Sequence, residues 1–264
     1  MIDLHSHILP CLDDGARNMD ETLEMCRIAE ADGIHTIIAS PHSRNGVYNN
    51  DEKTILPVLK KVKEAVKEKG ISIEIIPAVD MHIDPEVVTF FKQNSQLLLG
   101  ERYVLLEFPS QSIPPYTGEF LFKMKLKGYI PIITHPERNT IIQGDISVLH
   151  KWVEDGAIVQ LTAMSLTGEF GEKVRKVSLK MVQSGLVHFI ATDAHSSNWR
   201  KPILSKGRNV LEEILDSNRA KAMVEDIPKK ILNGKVIESI EIQNSNHTSS
   251  SFVKRLFEKK LLLK

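Results

Sequence analysis

The 264-residue sequence predicts an α/β fold in which parallel strands alternate with helices and close into a barrel. Three observations predict it. Seven short apolar or β-branched runs, at 2–5, 34–40, 71–79, 103–108, 130–134, 157–161 and 186–192, are separated by longer stretches of helical period. The runs are nearly continuously apolar, as in Thr36-Ile37-Ile38-Ala39 and Ile130-Pro131-Ile132-Ile133-Thr134, which fits a parallel sheet whose outer face is covered by helices. Glycine closes several helices just before the next strand, at Gly33, Gly70, Gly128, Gly156 and Gly185, where a left-handed C-cap is favoured. The length is within reach of one such barrel.

Taken in order, the run at 2–5 leads to an amphipathic helix at 19–32, and 34–40 to a helix at 51–69. The runs at 71–79 and 103–108 precede a helix at 119–127. Those at 130–134 and 157–161 precede helices at 146–154 and 171–184, and 186–192 closes the series. Beyond Asp193 the pattern turns helical, at roughly 206–217 and 219–225, and 226–241 is too mixed to assign. Residues 243–251 are Gln, Asn, Ser, Thr and His, a low-complexity polar linker, and 252–264 carry five basic residues against Glu258 before ending Leu-Leu-Leu-Lys. The expected organisation is a barrel over 1–242 and a linker with a basic apolar tail over 243–264. The tail is expected to be a solvated extension; its spacing of Phe252, Leu256 and Leu261 is a weak membrane-binding pattern by itself.

Composition narrows the function. Apolar residues make up 42% and charged residues 26%, as in an ordinary soluble globular chain. Basic and acidic residues balance at 34 each, so no global field favours nucleic acid or an anionic membrane, and specificity must be local. Cys11 and Cys26 cannot make a disulfide framework, no apolar run is long enough for a transmembrane segment, and polar residues begin at Asp3; a cytoplasmic chain is expected.

In a (β/α) barrel the active site lies where the strands end, so the residue closing each run carries the functional signal. The first run ends His5-Ser6-His7, the second Pro41-His42, the third Asp80, the fourth Glu107, the fifth His135 and the seventh Asp193-Ala194-His195. The sixth ends in Thr162 and offers no strong ligand. Side chains two apart on an extended strand point the same way, so His5 and His7 can share a cation, as can Asp193 and His195. A multinuclear site of nitrogen and oxygen ligands without thiolate suits manganese, iron or zinc.

These residues carry a resemblance. Met1-Ile2-Asp3-Leu4-His5-Ser6-His7, Asp13-Asp14-Gly15, Ser40-Pro41-His42, Leu106-Glu107-Phe108, His135-Pro136-Glu137-Arg138 and Thr192-Asp193-Ala194-His195 resemble the polymerase and histidinol phosphatase (PHP) superfamily. More narrowly, they are similar to the manganese-dependent protein tyrosine phosphatases of Gram-positive capsule and exopolysaccharide operons. The resemblance covers about residues 1 to 240 and implies a distorted (β/α)7 TIM-like barrel, the PHP fold, with three Mn2+ ions; other divalent metals such as Fe, Zn or Co are admissible. It implies His5, His7, Asp193 and Asp80 on the first ion, Asp80, Glu107 and His135 on the second, and Asp14, His42 and His195 on the third. One position departs: the family has glutamate where this chain has Asp80, shorter by about 1.5 Å, so either the backbone there moves inward or bridging weakens.

Arg138 and Arg200 match the positions at which the family binds phosphate, and a guanidinium fork suits phosphoryl oxygens. The alternative for Arg138 is a pairing with Glu137. The implied chemistry is metal-assisted hydrolysis without a phosphoenzyme: a water acidified by the metals attacks phosphorus while cations and arginines spread the developing charge. A phenolate, of pKa about 10, leaves without strong general-acid help. The implied substrate is a phosphotyrosine protein, such as a membrane-associated bacterial tyrosine kinase controlling polysaccharide export. Two rivals remain: a small-molecule phosphomonoesterase of the histidinol phosphatase kind, and a metal-poor regulator weakened by Asp80.

Cys11-Leu-Asp-Asp-Gly-Ala-Arg17 also matches the C-x5-R spacing of cysteine-dependent phosphatases. Asp13 and Asp14 inside that loop would repel a dianion, and no strand runs into Cys11 past Pro10, so the thiolate mechanism is disfavoured. His35 and His188 lie within runs and read as scaffold. His82 shares a strand face with Asp80, which admits an indirect role. His150 falls in a helix and His247 in the linker.

Overall fold

The computed structural model describes residues 1–237; the linker and tail expected at 243–264 lie outside the described residues. Among the described residues nine strands form: β1 (Ile2–Ser6), β2 (Thr36–Ala39), β3 (His42–Ser43), β4 (Glu74–Pro77), β5 (Asp80–His82), β6 (Tyr103–Glu107), β7 (Ile130–Thr134), β8 (Ile158–Thr162) and β9 (Phe189–Ala191). All ladders between them are parallel. They divide into a sheet ordered β1-β2-β4 and a sheet ordered β3-β5-β6-β7-β8-β9.

The division falls where two of the expected runs end, each being followed by a short further strand. Pro41, which has no N–H to give a ladder, separates β2, inside the run at 34–40, from β3 just past it. Beside it the run at 71–79 holds β4, and β5 follows its end. The register is nevertheless kept, with Ala39 opposite Pro77 before the break and His42 opposite Asp80 after it. Across the break Ala78 N donates to Ala39 O (2.9 Å) and Asp80 N to Pro41 O (3.1 Å). On the far side, β1 bonds to the chain leaving β9: Asp193 N donates to His5 O and His7 N to Ala194 O, both at 2.8 Å.

The helices between strands are α1 (Met19–Ala31), α2 (Glu52–Glu68), α3 (Val87–Gln93), α4 (Thr117–Leu126), α5 (Thr140–Gly144), α6 (Ser147–Glu154), α7 (Ala163–Thr167) and α8 (Glu172–Gln183). Then follow α9 (Ser205–Ile214), α10 (Ser217–Ala222) and α11 (Asp226–Leu232), the last in a stretch whose sequence shows no clear period. Asn18 caps α1 by accepting from Glu21 N, and Asp51 and Thr54 form a reciprocal capping box on α2. The short helices α3, α5 and α7 were not anticipated because fewer than two turns leave no measurable period. Of these, α7 explains the ligand-free sixth run, since Thr162 passes straight from β8 into a helix.

The nearly continuous apolar runs are explained by burial of both strand faces. Val104, Leu106, Ile133, Val159 and Ile190 pack toward Leu23, Val62, Met124, Leu149 and Met181 on the helices. The alternate positions Leu105, Ile132, Ile158 and Phe189 join Leu4, Ile38 and Ile231 in a second cluster. With both faces apolar, the positions left for polar chemistry are the strand ends.

Candidate metal and phosphate site

All nine side chains expected as ligands meet where the strands end. Their donor atoms fall into four overlapping groups, each within 4.8 Å: His7, Asp14, His42 and His195; His5, His7 and Asp193; His5, Asp80 and His135; His42, Asp80 and Glu107. Asp80 thus sits between two groups, and His5, His7 and His42 each belong to two. Two ligands follow their strands through a left-handed residue, His135 at φ 33° and Asp193 at φ 50°. Such a conformation costs a non-glycine residue about 1–3 kcal/mol and turns the side chain away from the strand direction.

The residues fit divalent cations on grounds the structure itself supplies. His7 Nδ1 donates to Asp13 Oδ2 at 2.6 Å and His195 Nδ1 to the carbonyl of Asp193 at 2.9 Å. Both partners only accept, so Nε2 of each ring keeps its lone pair. His5 Nδ1 lies 3.1 Å from Gln160 Oε1, and its Nε2 faces His7 Nε2 at 3.1 Å. Two ring nitrogens facing each other over that distance need a proton or a cation between them. Asp80 is fully buried, and neither carboxylate oxygen has a hydrogen-bond partner although Oδ2 lies 3.2 Å from His42 Nδ1 and 3.5 Å from His5 Nε2. A buried carboxylate without donors calls for a positive charge.

Electrostatics follow from that crowding. Burial pushes His5 down, but Asp80 and Asp193 outweigh it and lift its pKa to about 9. Burial, reinforced by Asp80, raises Glu107 to about 7. Burial also opposes ionisation of Asp193, yet Arg138 and Arg200 hold it well below the usual carboxylate range. Protons and metals therefore compete for one cluster.

Arg138 pairs with Asp193 rather than with Glu137. Its Nη2 and that of Arg200 both reach Asp193 Oδ2 at 2.5 Å, so two guanidiniums converge beside the ligand cluster. Glu137 turns inward and accepts from Thr162 N (3.0 Å) and Ser165 Oγ (2.6 Å), tying the loop after β7 to α7. Next to Arg138 a cavity of about 330 Å³ is lined by His82, Glu107, Phe108 and His135, which places His82 at the mouth of the site.

Four contributors were missed. Asp13, set aside in the sequence as repelling phosphate, accepts from His7 Nδ1, from His42 N (2.9 Å) and from Gly15 N (2.9 Å). Gly15 explains the Asp-Asp-Gly run: a Cβ there would lie 2.1 Å from His7 O, so only glycine lets the loop cross His7. Gln160 and Asp3, polar residues inside apolar runs, are buried beneath the cluster. Gln160 faces His5, and Asp3 accepts from Thr192 N at 2.9 Å. A polar residue in a strand with both faces covered is a readable signal. Phe170 had none; both arginines lie over its ring, Arg138 at 5.2 Å and Arg200 at 5.8 Å.

The Cys11 loop is no phosphate cradle. Cys11 Sγ donates to Arg17 O, and Arg17 pairs with Glu21 at 2.8 Å with most of its side chain in solvent.

Comparison with known proteins agrees with this geometry. YwqE of Bacillus subtilis, a tyrosine-protein phosphatase, is 39% identical over 214 residues, 81% of this chain and 84% of that one. CapC of Staphylococcus aureus is 35% identical over 238 residues, covering 90% and 91%. A solved structure from work on YwqE and on CpsB of Streptococcus pneumoniae, described as unique metal-dependent tyrosine phosphatases, superposes with a TM-score of 0.87 at 37% identity over 92% of this chain and 98% of that one. The family model for capsular polysaccharide synthesis, CpsB/CapC, matches residues 1–233, and the chain belongs to that family.

Proposed function

We propose that this chain is a metal-dependent protein tyrosine phosphatase that removes phosphate from phosphotyrosine on a protein, and that a membrane-associated bacterial tyrosine kinase controlling capsule or exopolysaccharide synthesis is its substrate. The observation that carries the reading is the meeting of nine nitrogen and oxygen donors, with imidazole tautomers fixed by acceptor-only partners, beside two converging guanidiniums. His5, His7, Asp14, His42, Asp80, Glu107, His135, Asp193 and His195 are the proposed ligands, of three Mn2+ ions by resemblance. When bound, such cations acidify a water and polarise a phosphoryl oxygen.

This chain's own residues do the rest. Arg138 and Arg200 bind the non-bridging phosphoryl oxygens, for which their shared carboxylate Oδ2 now stands in. Asp13, Gln160 and the Asp193 carbonyl hold three imidazoles in register. A tyrosyl leaving group asks little of a general acid. The kept register of β2–β3 with β4–β5 and the bonds from β1 to the segment after β9 support one distorted seven-stranded barrel. We take 1–242 as the catalytic unit. Among the described residues no helix is long and apolar enough to cross a membrane. We place the enzyme in the cytoplasm, acting on a kinase's accessible tail.

The test is chelation and reloading. Protein stripped with EDTA loses hydrolysis of a phosphotyrosyl peptide, Mn2+ restores it better than Fe, Zn or Co, and Cys11→Ser leaves it unchanged. Faster turnover of histidinol phosphate than of the peptide would replace the substrate class. Activity that survives chelation but not the Cys11 substitution would overturn the mechanism, and loaded protein inert to every ester would leave only a regulator.

A further inference from the structure

We infer that Trp199 is the binding surface for the substrate's aromatic ring, held in place by Phe170, and that it supplies the preference for aryl over alkyl phosphates. The inference rests on the phosphatase reading and goes beyond it. Trp199 is 61% exposed, unusual for a residue that is highly buried on average, and its exposure serves no packing purpose visible in the fold. It directly precedes Arg200, one of the two guanidiniums at the cluster.

Its position is built. The Ser196–Arg200 turn is closed by His195 N and Ser196 N donating to Arg200 O at 3.0 and 3.2 Å. Trp199 N donates to Asn198 Oδ1 at 2.6 Å. The indole meets Phe170 edge to face, with ring centroids 6.1 Å apart. Phe170 in turn lies between Gly168 and Gly171, both left-handed, on the turn that leaves α7. One aromatic ring thus touches both arginines and the indole, fixing the indole relative to the place where a phosphoryl group is bound. The indole also borders an open recess of about 230 Å³ with Met164 and Lys201.

The division of labour is then physical. The guanidiniums bind phosphate by charge and leave the ester group unspecified, because every phosphomonoester presents the same oxygens. A phenyl ring extending from that phosphate meets an exposed indole, and an aromatic pair contributes enough to change affinity by about 3- to 10-fold. An alkyl ester has no such partner. Phe170 is a positioning residue, acting through the arginines and the indole.

The experiment compares phenylphosphonate and inorganic phosphate as competitive inhibitors of Mn2+-loaded wild type, Trp199→Ala, Trp199→Phe and Phe170→Leu. Turnover of an aryl phosphate by the loaded wild type is measured first; its absence would overturn the phosphatase reading before any variant is compared. Given turnover, Trp199→Ala is expected to weaken phenylphosphonate about 3- to 10-fold while phosphate stays within about twofold, and Trp199→Phe to restore most of the loss. Phe170→Leu is expected to weaken both ligands. Independently of turnover, phenylphosphonate should shield the exposed indole from acrylamide quenching and phosphate should not, since Trp152 is already buried. Equal loss for both inhibitors in Trp199→Ala, or no loss, would overturn the inference. So would a loss confined to long phosphopeptides, which would place Trp199 against polypeptide beyond the ring.

Discussion

Replacing Asp13 by Asn tests whether the proposed metal cluster depends on a residue outside its proposed ligand set. The Asp13 side chain is fully buried and serves three donors: His7 Nδ1 at 2.6 Å, His42 N at 2.9 Å and Gly15 N at 2.9 Å. Burial works against its charge, but His7 and the two backbone N–H groups hold its carboxyl below the usual range. Asn has the same shape but a single acceptor oxygen, so its amide N–H2 must confront one of the three donors. With its oxygen at the Oδ2 position Asn still accepts from His7 and His42 and turns its amide on Gly15 N, so the His7 bond loses its charge assistance, part of a bond worth about 1.5–3 kcal/mol, and with it the firm hold on the His7 tautomer. That matches the roughly 10- to 100-fold loss of metal affinity typical when a ligand histidine's partner is replaced. Calorimetric titration of chelator-stripped protein with Mn2+ reads this directly, and aryl phosphate turnover across the same Mn2+ range reads its consequence. The expected result is a rightward shift of both curves with kcat at saturating metal changed by no more than a few-fold. Unchanged metal affinity in a folded Asp13→Asn protein would refute the reasoning.

Three further outcomes follow from other parts of the fold. Asp80 already lies within 3.5 Å of two imidazoles in a fully buried position, so Asp80→Glu overpacks the site at about 1–3 kcal/mol and lowers kcat; higher turnover with Mn2+ would show instead that the shorter acid limits the enzyme. His188 accepts from Val159 N at 3.1 Å, and burial lowers its pKa to about 4. A folded value below the unfolded one of about 6.5 gives stability that is complete above that pH and lost as pH falls toward 4. Wild type should therefore lose on the order of 2 kcal/mol more than His188→Gln between pH 7 and pH 5 in urea unfolding; parallel pH profiles would reject this. Gly100, at φ 51°, would bring a Cβ within 2.1 Å of Ile231 O and 2.4 Å of Gly234 N, so Gly100→Ala should cost at least about 2 kcal/mol, measured by the denaturant midpoint.

Parallel strands, their order and the residues at their ends could be read from one dimension. In a parallel α/β sheet every strand points the same way, so the residue after each apolar run reaches the same end whatever the packing details. For that reason His5, His7, His42, Asp80, Glu107, His135, Asp193 and His195 could be named in advance, Asp14 entering only through the family resemblance, and the structure brings all nine together. Local chemistry also made the glycine C-caps readable. The short strands β3 and β5 just past two of the runs and the helices too short for a period were not, because two or three residues carry no pattern of their own and pair only where a neighbouring strand meets them.

Only the tertiary structure decided how those end residues relate to one another. Which imidazole nitrogen is free depends on Asp13, Gln160 and the Asp193 carbonyl, one of them on a strand 155 residues from the ring it faces. The convergence of Arg138 and Arg200 on one oxygen, over the ring of Phe170 and beside Trp199, joins three loops with no sequence spacing in common. Periodicity assigns a side chain to a face or an end of an element. Hydrogen-bond direction and charge pairing depend on distances of a few ångströms across elements, which exist only after the chain has packed.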